Sequence, residues 1–410
     1  MWMPMSPLLL TRRALIAGTA LLLAARPLRA QTPVLVLRAA EADIPLGPDT
    51  LGAPAFNGLP VGPAIEIPRG MPFALKIENK LDVEFYFRPQ GLRGRAVRGN
   101  DTPIKPGEVR DLVITPPDAG TFVYRAGCED GLHMNRTLLL SGPLIVTQDA
   151  PRVADRDVVM AVNTLILPEE NENAPPRRVV TVNGLPNYAL KARPGERLRL
   201  RLINLAQEAP GGLKMPADTQ VVALDGQPSE PFPPFDGTMV LAPLGRADIL
   251  LEVPRDKTAM VEIMDAFDPL QVVSTITVEG EPMTDRFLAR ELPNNTGLPK
   301  EIPLQSAKRV TWKPLESASD PLASVKAGTS VVLTFENNDT LHALMLDGQT
   351  ARLLDTLDDG WKPWWHDTLL VNPGETARLA FLPKEKGRYA LDMIPLEGNG
   401  APTRAWIEVS

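Results

Sequence analysis

Three tandem Greek-key β-sandwich domains are predicted, on the strength of two glycine-anchored repeats and an abundance of proline. A glycine is followed nine residues later by an asparagine at Gly70 to Asn79, Gly195 to Asn204 and Gly328 to Asn337. The text between them, FALKIE, RLRLRLI and VVLTFE, alternates apolar and polar side chains over at least part of each stretch, the period of a half-buried strand. Downstream, Gly107, Gly245 and Gly374 each lead after nine residues to Pro116, Pro254 and Pro383. Proline cannot donate to a sheet ladder and suits a strand end. Gly120 and Gly387 follow Gly107 and Gly374 at equal spacing and open the aromatic strands TFVY and RYAL. Gly70 to Gly195 is 125 residues and Gly195 to Gly328 is 133, each the size of one domain. The 43 prolines leave little room for long helices and favour antiparallel sandwiches or barrels. The expected layout is a domain at 31–150, a second at 151–285, a linker at 286–305 and a third at 306–410.

The first thirty residues belong to a different physical system. Thr11-Arg12-Arg13 precedes an apolar run from Ala14 to Ala25, and Leu28-Arg29-Ala30 offers a small-residue cleavage site before Gln31. The run is shorter than the roughly 20 residues that span a bilayer. Paired arginines ahead of a short, moderately apolar core resemble a twin-arginine export signal; the alternative is an ordinary secretory signal carrying two arginines. Either way the mature chain is expected outside the cytoplasm, in the periplasm, with no membrane span. Loss of four arginines and no acid moves its formal charge from -7 to -11, which argues against nucleic acid and anionic lipid as partners. Cys128 is the only cysteine. No internal disulfide is available, so packing must stabilise the exported chain.

Longer segments carry a resemblance. In the first repeat unit FNGLPVGPAIEIPRG, NKL, PIKPGE, AGTFVY and GPLIV occur in order; in the second, VNGLPN, PGERLRLRLINLA, ALDGQPSEP and LGRADILLEVP; in the third, NNDTLHALMLDGQ, WHDTLLVNPGET and GRYALDMIPLEG. Together they resemble the three domains of multicopper oxidases and imply three cupredoxin-like domains. That family uses about ten histidines and one cysteine to hold four coppers, because imidazole and thiolate are the ligands copper prefers. This chain has three histidines. The family's first His-x-His pair falls on Phe85 and Phe87, and its second on Arg125 and Gly127. In the last unit the His-x-x-His-x-His series falls on His342, Met345 and Asp347, the His-Cys-His run on Asp392, Met393 and Ile394, and the next ligand on Gly398. The resemblance therefore implies a chain that has lost its copper ligands, with no cofactor and no metal at those positions.

Several residues admit two readings. His342 is either a relic ligand beside Met345, Asp347 and Asp392 or a hydrogen-bonded structural histidine. Arg125, expected in the buried seam between first and last domains, needs an acid, and Asp347 or Asp392 is placed to supply it; the vacated cavity would then act as an interdomain lock. Trp365 is expected in a core. Trp361 and Trp364, on an acidic loop, are either a partner-binding pair or loop-packing aromatics. Cys128 and His133 make neither a closed zinc site nor a catalytic dyad with a third group. The Asp-Gly pairs at Asp225 and Asp347 mark turns. Signal, layout and ligand loss resemble the copper-free, SufI-type branch of the superfamily, which implies a non-catalytic envelope protein that binds envelope or division-site proteins. Two alternatives stand beside it: an oxidoreductase with a rebuilt metal site, and copper storage by some of the 13 methionines, a residue more often used as core filler.

Overall fold

In the computed structural model, which describes residues 34–410 except 48, 128–138, 168–175, 269–270, 314–316, 356–359 and 398–399, the two nine-residue repeats are the two halves of one strand pair. The Gly70 amide donates to the Pro116 carbonyl (2.8 Å) and the Gly107 amide to the Asn79 carbonyl (2.9 Å); Gly328 and Gly374 do the same with Pro383 and Asn337 at the same distances. Equal spacing on the two strands is the condition for both ends of an antiparallel pair to meet. All five of Gly70, Gly107, Gly195, Gly328 and Gly374 have φ between +72° and +83°, a region open to glycine at little cost. The second domain departs from the pattern: Leu244, not Gly245, takes the left-handed conformation (φ +61°).

The repeated asparagine is a clasp. Asn79, Asn204 and Asn337 are buried, and each side-chain amide donates to carbonyls of the loops that close its strand pair. Asn204 Nδ2, for example, reaches Ala209 O (3.0 Å) and Ala242 O (3.0 Å), while its Oδ1 accepts the Ala206 amide (3.0 Å).

Three pairs of sheets result, built from strands within Leu35–Thr147, Arg156–Val278 and Lys308–Val409. Among the described residues there is no α-helix, only a 3-10 turn at Phe235–Gly237. Leu198, Leu200 and Leu202 of one sheet pack on Ile263 and Ile276 of the other in the second pair; Leu333 and Phe335 pack on Leu391 and Ile407 in the third. Each such side chain contributes about 1.5–3 kcal/mol. The sheets are mixed rather than purely antiparallel. Ile65–Pro68 runs parallel to Ser141–Thr147, Arg156–Leu167 to Arg197–Asn204, and Lys308–Trp312 to Val331–Glu336. Long Greek-key connections return a strand in the same direction as its neighbour, whereas hairpins cannot.

The alternation in RLRLRLI also has a different cause from the one expected. Its leucines fill the core, but Arg199 and Arg201 are buried as well, because that face meets the first domain. Arg201 Nη1 donates to Thr121 Oγ1 (2.6 Å), and Thr121 in turn donates to Asp248 (2.6 Å), the acid that pairs with Arg199. Residues expected as a linker pack into the same junction: Asn295 is buried and exchanges hydrogen bonds with both backbone groups of Ala119.

Candidate functional site at the domain junction

The first-domain strands Tyr86–Gln90 and Gly120–Gly127 place Arg88 opposite Arg125. In the third domain His342–Leu346, Gly387–Pro395 and Thr403–Val409 place Met345 opposite Asp392 and Asp392 opposite Arg404. Strand alternation then sorts these side chains into an aromatic and a polar set. Phe87 stacks on Tyr124 (centroids 5.6 Å apart) and Phe85 meets Phe56 edge-on (6.3 Å), all fully buried. On the polar side Arg88 Nη1 crosses to Asp347 Oδ2 at 3.0 Å. Arg404 forks Asp392 at 2.5 and 2.7 Å, and Arg125 Nη2 stands 4.0 Å from the same carboxylate.

Arg125 is 2% exposed, and its Nε and Nη1 have no hydrogen-bond partner. Burial, then repulsion from Arg88, lowers its pKa to about 10, with Asp392 and Asp347 opposing. Burial would raise the Asp392 carboxyl, but the Arg404 fork and then Arg125 hold it below its ordinary value. Gly127 provides the space: a β-carbon there would fall on the Arg125 guanidinium and 2.9 Å from Arg88 Cδ.

The remaining seam positions are apolar or structural. Met345 and Ile394 join Val123 of the first domain and Ile203, Leu205 and Leu244 of the second in one buried cluster. Met393 points the other way, into the third-domain core. His342 Nδ1 lies 2.9 Å from Asn337 Oδ1, the third clasp asparagine, and burial lowers its pKa.

A second polar centre, invisible as such in the sequence, joins all three domains. Arg246, fully buried, forks Asp367 (2.8 and 2.5 Å) and donates to the Leu244 carbonyl (2.9 Å). Gln90 Nε2 donates to Asp367 Oδ1 at 2.9 Å. Asp225 accepts the amides of Asp367 and Thr368, both at 3.1 Å, and the Arg246 amide, also at 3.1 Å. Burial pushes Asp367 up to about 6, opposed by Arg246 and reinforced by Asp225. Against the burial that would raise it, Arg246 and His366 hold Asp225 down to about 2.

A multicopper oxidase family model matches residues 295–392. The chain is similar to the multicopper oxidase mco of Staphylococcus aureus, 22% identical over 387 residues that cover 85% of this chain and 81% of that protein. Its counterpart in Staphylococcus haemolyticus is 24% identical, with the same coverage. Among solved structures, a multi-copper oxidase from Pseudomonas thermotolerans aligns with a TM-score of 0.77 over 92% of this chain and 99% of that one, at 24% identity. Lac15 from a marine microbial metagenome aligns at 0.75 and 25%, over 92% and 100%. The chain belongs to the multicopper oxidase (cupredoxin) superfamily.

In a multicopper oxidase, copper asks for imidazole nitrogen and thiolate sulfur, and the side chains at the ligand positions assigned by resemblance do not fit it. Phe85 and Phe87 offer hydrocarbon, Arg125 a cation with no lone pair, and Gly127 nothing. Asp347 and Asp392 are engaged by arginines, Met345 and Ile394 lie in an apolar cluster, and His342 has its Nδ1 turned to Asn337. Among the described residues, no three His, Cys, Asp or Glu side chains converge to hold a metal. Cys128, His133 and Gly398 lie outside the described residues.

Of the aromatic candidates, Trp365 is buried and Trp364 is half-buried, its ring 5.0 Å from Phe232 of the second domain. That is the packing role rather than an exposed partner-binding one. Trp361 begins the strand Trp361–His366, and its side chain lies outside the described set.

With two nitrogens unpartnered and its acid 4.0 Å away, Arg125 is a poorly satisfied buried charge, and Asp392 keeps Arg404 when it is removed. Arg125→Ala is expected to lower stability by more than the roughly 0.5 kcal/mol of a surface change, through lost packing. Arg125→Met, which refills the volume without charge, should lie within about 1 kcal/mol of the parent or above it. Urea unfolding of both variants checks this; equal losses would mean that the charge itself holds the seam.

Proposed function

We propose that this superfamily member is an exported periplasmic protein whose ancestral copper positions have been refilled as an interdomain lock, and that it acts by binding envelope proteins, with support of cell division as the specific role. The observation that supports this reading is the exchange of donor for lock at the seam: Arg88–Asp347 joins first and third domains, and Arg125 packs 4.0 Å from the third-domain Asp392–Arg404 pair, where the family places ligands. An oxidase needs electrons to pass between coppers, and phenyl rings, guanidiniums and a bare backbone cannot hold them. A rigid three-domain body presenting its outer surfaces is what remains. Export rests on Arg12-Arg13 and the short apolar run after them.

Metal analysis of the mature protein isolated from the exported fraction, together with an assay on a phenolic dye, tests the central claim. Copper well below one equivalent and no dye turnover are expected. Stoichiometric copper with turnover would select instead the oxidoreductase with a rebuilt metal site. For the cellular role, a fluorescent fusion should gather at the septum and deletion should cause filamentation. Diffuse signal with normal growth would remove the division role and leave the lock untouched.

A further inference from the structure

Beside the lock, on its solvent side, lies a recess of about 450 Å³ between first and third domains, within the size range of small-molecule sites. Its first-domain wall carries Arg88 and Arg95, and its third-domain wall Arg388 and Arg404. Asp101 and Asp347 are the acids that line it and Asp392 pairs with Arg404, so four arginines meet three acids on a chain whose net charge is -7. Two more acids neighbour the lining arginines: Glu408 lies 3.9 Å from Arg388, and Glu385 accepts the Arg95 main-chain amide.

Two features make this more than a charged surface. The guanidinium carbons of Arg388 and Arg88 sit over aromatic rings, 4.5 Å from the Trp406 centroid and 5.0 Å from that of Tyr86. A cation–π contact of this kind restrains a guanidinium, the group that binds carboxylate or phosphate in bidentate fashion. Behind Arg88, on the adjoining strand, Arg125 is buried with two nitrogens lacking any partner. Its charge is only partly balanced by Asp392, 4.0 Å away. Arg95 and Arg388 are exposed at the rim, and their guanidiniums make no hydrogen bond among the described residues.

We propose that this recess binds a small polyanion, a molecule with two or more carboxylate or phosphate groups, held by arginines of both domains. The ligand bridges Arg95 of the first domain and Arg388 of the third, with Arg88 and Arg404, held by Asp347 and Asp392, adding charge behind them, and so clamps first domain to third. This inference rests on the seam being a copper-free lock.

The test uses the mature protein with its copper content measured first. Calorimetric titration and thermal unfolding are run with citrate, with inorganic pyrophosphate and with uncharged glycerol. Saturable binding of citrate or pyrophosphate is expected, weakening with salt and raising the unfolding temperature with concentration, while glycerol at equal concentration gives no saturable heat. Binding of citrate alone assigns a carboxylate ligand, and binding of pyrophosphate alone a phosphate. The double variant Arg95→Gln/Arg388→Gln changes two exposed side chains outside the lock and should fold normally. It should weaken binding by about tenfold or more, whereas Arg255→Gln, an exposed arginine elsewhere, should not. No saturable binding of either anion, or equal binding by the double variant, overturns the proposal. Stoichiometric copper in the same sample would sink the lock reading instead, whatever the anions do.

Discussion

Arg246→Ala is expected to destabilise the folded chain by about 3–5 kcal/mol, the range for removing one partner of a buried ion pair. The alanine leaves Asp367 and Asp225 together in a buried site, with Gln90, His366, the Thr368 hydroxyl and backbone amides to solvate them. Asp367, already pushed up to about 6 by burial, would bind a proton, and Asp225 would lose the cation that holds it low. The fork also joins second domain to third, while Gln90 brings in the first, so the loss should loosen all three at once. Urea unfolding at pH 7 measures it, and Arg246→Met separates the two contributions. If methionine restores most of the loss the site needed volume; if methionine and alanine are alike, the buried carboxylates are what Arg246 serves. A loss below about 1 kcal/mol for alanine would show that the three-domain centre is not a stabilising element.

The fold was legible because its repeats are backbone requirements with local signatures. Gly70 and Gly107 stand where φ is positive, Asn79 where a clasp is needed and Pro116 where a ladder ends, and each residue type is nearly dictated by that task. The seam was legible in part. Arg125, Asp347 and Asp392 stood at positions marked by motif, so a salt link among them was foreseeable; Arg88 belonged to no motif, and the closer of the seam's two ion pairs across the domains falls to it. The three-domain centre was missed for a different reason. Asp225 with Gly226 reads as a hairpin turn, and it is one, with φ of 47° and 78°; nothing in the dipeptide says that the same carboxylate is buried against another domain. Arg246 shares its strand with Asp248 and Glu252, and Asp367 stands between His366 and Thr368, so nothing local marks either as buried. The available signal was their company: all three lie inside the segments that carried the family resemblance, ALDGQPSEP, LGRADILLEVP and WHDTLLVNPGET. Parallel strand pairs were hidden because period two does not record strand direction.

Gly120→Ala should be among the most damaging single-methyl additions in the chain, at about 3 kcal/mol or more, the upper range for forced overpacking. Gly120 begins the central seam strand with φ +155°, and a β-carbon there would lie well inside contact distance of the Gly226 carbonyl, 2.9 Å from its carbon and 3.0 Å from its Cα. Both partners are backbone, so no side chain can swing away; the first and second domains must separate. Gly226 is itself the turn that presents Asp225, and Thr121, the next residue, holds Arg201 and Asp248. The displacement would therefore pull on the charged centre as well as on the contact. Gly387 supplies the control, because it holds the equivalent place in the third domain with φ +142° and so shares the conformational strain of a substitution. A β-carbon at Gly387 meets only the end of Arg95, 2.6 Å from Nη2, a flexible side chain at an exposed rim that can move. Gly387→Ala should then cost about 1 kcal/mol less than Gly120→Ala at the least, an overpacking difference with backbone strain cancelled. Thermal or urea unfolding of the two variants side by side reads that gap. Equal losses would place the cost in the backbone conformation and deny that the first two domains are held at fixed separation by a glycine-to-glycine contact.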